Sequence, residues 1–222
     1  MNHRRFADRF EAGRMLAAEL AALHLTNPLV LAIPRGGIET AAPIAERLGA
    51  ELDVTLARKL RSPDQPELAI GAISESGQVH LDPALVAMTG ATKLYVEEER
   101  ARQQAEIERR REMFRRVRAP ASVAGRTVIL TDDGVATGST MIAAARSVRA
   151  AGPSELIIAV PVAASERLPS LRPLCDRLVC LVAAPDFMAV GQFYDQFDEV
   201  LDERVVELLR LHASRPHSTR HG

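Results

Sequence analysis

A chain of 222 residues, 47% of them apolar, suits one domain or one domain with an insertion and can build a core, which excludes disorder of the whole chain. A formal net charge of -1 gives no overall attraction to nucleic acid or to an anionic membrane, so any basic surface has to be sought segment by segment. No apolar run approaches a bilayer span and "MNHRRFADRF" lacks the apolar core of a signal peptide, so a soluble, cytoplasmic protein is expected.

In chain order, Phe6, Phe10, Gly13, Ala17 and Leu20 step by four and three and predict one apolar stripe on a helix. Asn27 and Pro28 break it. Residues 29–33 read as a buried strand, "RGG" as a turn, and Ile38, Ala41, Ile44, Ala45 and Leu48 as a second helix that stops at Gly49. "ELDVTLARKL" reads as the next strand. Strand, helix, strand order of this kind belongs to a parallel sheet with right-handed crossovers.

Over 61–118 the alternation lapses, and the segment reads as an insertion. "ELAIGAISESGQVHLD" predicts a hairpin turning near Glu75 to Gly77, and a long charged helix follows from Lys93. The alternation resumes with a strand at 127–131, a helix at 139–151 ended by Gly152, and strands at 156–160 and 178–183. No internal repeat is present, and 214–222 reads as a disordered tail after a single domain spanning 1–213. Cys175 and Cys180, the only cysteines, read as core residues rather than as a metal site or a disulfide framework.

Ligands of such folds collect at the carboxyl ends of strands. There the chain carries "RGG", "ARKL", "DDGVATGST" and "APDFMAVGQFYDQF". In the third, the residues from Thr137 to Thr140 lie where a strand gives way to a helix, so unpaired N–H groups and the positive end of a helix dipole are available to an anion. Gly138 permits close backbone approach, and Thr137, Ser139 and Thr140 can donate hydroxyls. The chain has no G-x-x-x-x-G-K-[ST] and no G-x-G-x-x-G, which disfavours a nucleoside triphosphatase and a dinucleotide-dependent dehydrogenase. A phosphorylated sugar fits better, with its phosphate in the cradle and an adjacent diol on the carboxylates of Asp132 and Asp133.

"VILTDDGVATGST" resembles the phosphoribosyl pyrophosphate motif of the type I phosphoribosyltransferases, matching it at every defining position. The resemblance implies a mostly parallel, twisted α/β sheet with helices on both faces, a hairpin and long-helix insertion, and a small C-terminal hood at about 185–199. It also implies that Asp132 and Asp133 hold the ribose hydroxyls, as the catalytic acids. Ala136, Thr137, Gly138, Ser139 and Thr140 would hold the 5-phosphate. "AIPRGG" resembles the family's pyrophosphate loop, with Arg35, Gly36 and Gly37 as matching residues, and Arg58 and Lys59 fall where related enzymes bind pyrophosphate through a basic side chain. Mg²⁺ is the implied cofactor. "APDFMAVGQFYDQF" is similar to the segment of hypoxanthine-guanine phosphoribosyltransferases that faces the acceptor base; Pro185, Asp186, Val190, Gly191 and Asp195 match, and Asp195 would lie near the metal.

That last match departs where the base-stacking aromatic should stand, because Met188 takes its place and Phe187 comes one residue early. Phe187, Met188 and Phe193 are the candidate acceptor pocket. The hood aromatics, Tyr194 and Phe197 included, leave two readings open: they line a pocket, or they pack the hood. The insertion falls where family members carry a mobile loop that closes over the site, and Glu67 and the glycines around "IGAI" are candidates for it. "RARQQAEIERRREMFRRVR" reads as a solvated helix or a dimer contact, with nucleic acid the less favoured partner and a homodimer the expected assembly. His80 is a candidate base, or simply a surface histidine.

The leading expectation is transfer of a phosphoribosyl group from Mg-phosphoribosyl pyrophosphate to a nitrogen acceptor, possible acceptors including nucleobases. The alternative is a regulatory module that binds the same donor, or a nucleotide, and uses the basic end of the long helix, at Arg109, Arg110, Arg115 and Arg116, to hold a partner. Hydrolysis of the donor is a third reading.

Overall fold

The computed structural model describes residues 5–65 and 68–213. Glu67 of the expected flap and the expected tail at 214–222 lie outside the described residues. Helix α1 spans Arg9–Ala21. Its start is set by Asp8, whose carboxylate accepts from the Glu11 N–H, while Glu11 reaches back to the Ala7 N–H, a reciprocal cap of the D-x-x-E kind. Phe6 is therefore not on the helix, as its place in the apolar stripe suggests; it forms a parallel bridge with Tyr194, far along the chain.

Strand β1 (Leu29–Ala32) leads through α2 (Gly37–Leu48) to β2 (Glu51–Val54), which pairs parallel with β1. "ELDVTLARKL" is not one strand. It breaks at Thr55 and Leu56, and β3 (Ala57–Arg61) leaves the sheet to pair antiparallel with β4 (Ala69–Ser74), which in turn pairs with β5 (Val79–Leu81). Arg58 and Lys59 thus sit within a strand of a second, three-stranded sheet. The hairpin turns at the expected Glu75 to Gly77. A short α3 (Pro83–Thr89) precedes α4 (Lys93–Arg115).

The alternation then resumes with β6 (Thr127–Thr131), α5 (Ser139–Ala150), β7 (Glu155–Ala164), α6 (Leu168–Leu171), β8 (Arg177–Ala184) and α7 (Asp202–Ala213). The main sheet is wholly parallel, in the order β2-β1-β6-β7-β8. Its central strands are buried on both faces, which is why they read as continuous apolar runs rather than alternating ones. Val30, Ile129 and Ile157 pack with α1, α2, α4 and α7 on one face, and Leu31, Leu130 and Ile158 pack with α5 on the other.

The insert is no loose appendage, since Ile107 and Phe114 of α4 are fully buried in the first of those cores. A third cluster of Phe6, Ala12, Val162, Ala184, Phe193 and Tyr194 seats the hood on the edge of the main sheet. No helix among the described residues is long and apolar enough to cross a membrane.

Candidate active site

Strand order reverses between β1 and β6, because the chain runs outward to β2 on one side and to β7 and β8 on the other. Loops leaving neighbouring strands diverge there and open a crevice at their carboxyl ends. "RGG" follows β1 and "DDGVATGST" follows β6, so both reach that crevice. The loop after β6 is pinned at its start, where Val135 bridges to Ala163 of β7, and it ends at Gly138, the N-cap of α5, with a φ of 81° that favours glycine. No side chain caps α5, so its first-turn N–H groups face the crevice without an internal partner.

The crevice holds a cavity of about 420 Å³. Its walls are Lys59 of β3, Asp132, the backbone from Gly134 to Gly138, Thr140 and Met141 of α5, and Met188, Ala189 and Val190 of the hood. Three segments remote in sequence therefore converge on one hollow, with a cation and a helix N-terminus on one hand and a carboxylate on the other. A larger hollow of about 520 Å³ lies beyond Arg9, but Asp8, Glu39, Asp198, Glu199, Glu203 and Glu207 dominate its wall, a field that repels a polyanion.

The two acids are not equivalent. Asp132 lines the cavity, whereas Asp133 does not and accepts a hydrogen bond of 2.8 Å from Arg9 Nε. Burial raises the pKa of both. For Asp132 the charge of Asp133 adds to this, while for Asp133 the Arg9 bond and charge oppose it. Tyr194 donates its hydroxyl to the Asp133 carbonyl at 2.6 Å. Neither Arg9 nor Tyr194 stands out in the sequence as a site residue. The available signal was Arg9 itself, a cation in the first turn of a helix, where the dipole disfavours one.

Gly36 and Gly37 abut the acids. A Cβ on Gly36 would fall 1.9 Å from Asp133 Oδ2, and one on Gly37 would fall 3.0 Å from the Asp132 Cα. Arg35 pairs with Glu199. Arg58 donates to Gln103 Oε1 at 2.6 Å and faces Glu106 at 3.9 Å, and burial lowers its pKa.

In the hood, Met188 is 91% exposed and reaches the cavity, but Phe193 is fully buried and belongs to the hood core, which corrects its expected place in the acceptor pocket. Phe187 packs against Phe193 with ring centroids 5.3 Å apart, and Tyr194 stacks on Phe197 at 5.1 Å. Gln192 closes the loop on itself, accepting from the N–H groups of Met188 and Ala189 and donating to the Asp186 carbonyl. Asp195 pairs with Arg5 at 3.0 Å and does not line the cavity. His80 is also away from it, with its Nδ1 2.7 Å from Arg146.

Three of the four arginines expected to form the basic end of α4 are paired internally. Arg109 and Arg110 bind Glu106 and Asp202, and Arg115 binds the buried Asp53 at 2.7 Å. Cys175 and Cys180 are free thiols, part-buried against the α5 side of the core.

A family model described as "Phosphoribosyl transferase domain" matches residues 7–198. Two relatives from Mycobacterium tuberculosis, of strains CDC 1551 / Oshkosh and ATCC 25618 / H37Rv, are each 40% identical to this chain over 204 residues, covering 92% of it and 46% of their own length. They carry the names "Putative phosphoribosyl transferase MT0597" and "Putative phosphoribosyl transferase Rv0571c". The chain thus spans about half the length of the curated relatives it matches. The crystal structure of TT1426 from Thermus thermophilus is 45% identical and superposes with a TM-score of 0.78 over 93% of this chain and 98% of that one. With the family model covering most of its length and carrying the crevice within it, the chain belongs to the phosphoribosyl transferase domain family.

Proposed function

We propose that this protein moves the 5-phosphoribosyl group from Mg-phosphoribosyl pyrophosphate to a nitrogen acceptor and releases pyrophosphate. The observation that carries the reading is the cavity in which Asp132, Lys59 and the uncapped start of α5 face one another, because the donor presents a diol, a pyrophosphate and a phosphate to match. In this reading Ala136 to Thr140 hold the 5-phosphate through backbone N–H groups and hydroxyls. Asp132, backed by Asp133, serves the ribose hydroxyls, and Lys59, with Arg35, Gly36, Gly37 and Arg58, receives the pyrophosphate. Arg58 would have to give up its bond to Gln103 to do so. Met188 and Val190 bound the acceptor side.

The donor atoms at the cavity are oxygens of a carboxylate, hydroxyls and carbonyls, which suit a hard cation. Among the described residues no cluster of three or more metal-ligating side chains exists, so Mg²⁺ would be held by donor oxygens and water with Asp132 beside them. When bound, the ion neutralises pyrophosphate as a leaving group. The bond from C1 to the pyrophosphate oxygen breaks with its electron pair going to pyrophosphate, the nitrogen lone pair forms the new bond to C1, and the nitrogen gives up its proton to the departing pyrophosphate or to water. In this reading the charge of Asp132, with Asp133 behind it, stabilises positive charge on the sugar as that bond lengthens.

The test is pyrophosphate release from Mg²⁺ and phosphoribosyl pyrophosphate, with and without pooled purine and pyrimidine bases, for the wild type and for Asp132→Asn/Asp133→Asn. Base-dependent release that falls about 10²-fold or more in the variant supports transfer, since electrostatic stabilisation of this kind commonly contributes that much. Equal release with and without bases points to hydrolysis instead, and absence of donor binding removes the reading.

A further inference from the structure

Arg9 is only 6% exposed, and a guanidinium so deeply buried has to be matched by partners. Those partners come from distant parts of the chain. Its Nε donates to Asp133 Oδ2 at 2.8 Å, an Nη donates to the Asp198 carbonyl at 2.8 Å, and the guanidinium lies 3.8 Å from the centroid of the Phe197 ring. Glu39 of α2 stands 3.8 Å away. Phe197 in turn stacks on Tyr194, whose hydroxyl holds the Asp133 carbonyl. Both the side chain and the main chain of Asp133 are therefore gripped from the N-terminal helix and the hood. The oxygen that Arg9 binds, Oδ2, occupies the space that Gly36 leaves by having no Cβ.

We propose that Arg9 is a positioning residue for donor binding: it clamps Asp133 between the hood and the Gly36 turn, and so fixes the direction in which the adjacent Asp132 faces the cavity. This rests on reading the cavity as the donor site. Arg9 does not line that cavity, and neither does Phe197, so donor affinity depends on two side chains that the donor never touches. The hood, whose Met188 and Val190 bound the acceptor side, is thereby coupled to the loop that grips the sugar.

The test is calorimetric titration of the full chain with phosphoribosyl pyrophosphate and Mg²⁺, alongside steady-state pyrophosphate release, for the wild type, Arg9→Met, Arg9→Lys, Phe197→Leu, Asp133→Asn and Arg9→Met/Asp133→Asn. The donor Kd and KM should rise about ten-fold in Arg9→Met, the scale of one charge-assisted hydrogen bond, with the release rate at saturating donor changed much less. Arg9→Lys should recover part of the affinity, since it keeps the charge but not the fork. Phe197→Leu should weaken binding in the same direction, and the double variant should lose less than the sum of its single changes. If Arg9→Met fails to fold, the lysine and leucine variants carry the same comparison. A lower thermal midpoint with unchanged donor Kd and KM would make Arg9 merely structural and overturn the inference, while the donor-site reading would stand. A wild type that binds no donor would overturn both.

Discussion

At the level of single residues the site holds a conflict that folding alone would not choose. Asp132 is recessed beside a second carboxylate, and both burial and that neighbour raise its pKa well above the ordinary 3.8. An acid whose folded pKa is raised stabilises the fold fully below its unfolded pKa, and that stability is lost as pH rises through the folded value. Asparagine mimics the protonated form at every pH. Asp132→Asn should therefore melt about 2–4 °C above the wild type at pH 8, roughly the effect of 1 kcal/mol in a domain of this size, and the gap should close at pH 4. The same variant should lose pyrophosphate release, a trade of function against stability. Gly36 is the second test, because an added Cβ would overlap the Asp133 carboxylate. Gly36→Ala should cost ~1–3 kcal/mol in a urea unfolding series, as over-packing does, and should weaken donor binding with it.

Among the elements, α4 is the one whose purpose the sequence conceals. Its buried positions are Glu99, Gln103, Ile107 and Phe114, so half of the inward stripe is polar and the apolar period that marks a packed helix is hidden. Its arginines looked like a basic surface for the same reason, since their carboxylate partners, Asp53 and Asp202, lie far away in sequence. Asp53 is 2% exposed and also accepts from the Val54 and Ala121 N–H groups, which makes Arg115 the cation of a buried pair. Arg115→Met should destabilise the protein by about 3–5 kcal/mol in chemical denaturation, the cost of leaving a buried charge alone. An arginine on a partner-binding surface would change stability by about 0.5 kcal/mol or less. The parallel strands and α2 and α5 were legible for the converse reason: their apolar periods are local, and their stops are written in glycine. "ELDVTLARKL" was misread because a strand that changes sheets keeps a continuous apolar pattern across the break.

Over the whole molecule, the local part of the site was readable and the assembled part was not. "DDGVATGST" could be placed at a strand end from its own residues, and Lys59 and Met188 do meet it at one cavity. Arg9, which bears on Asp133, could not be foreseen, because its contacts span 124 and 189 residues, and that of Tyr194 spans 61. Those separations bear on how the molecule comes into being. Contacts between remote segments form slowly, since loop closure has to precede them, whereas the β6 to α5 turn is local. The parallel bridge between Phe6 and Tyr194 and the Arg9 clamp join the entry to α1 to the hood, a segment nearly 190 residues further along the chain. A chain whose hood is displaced can keep its strands paired, yet Asp133 then loses the hold of Tyr194 on its main chain and the hood's share of the Arg9 clamp, so the aim of the loop after β6 is only as firm as these long closures.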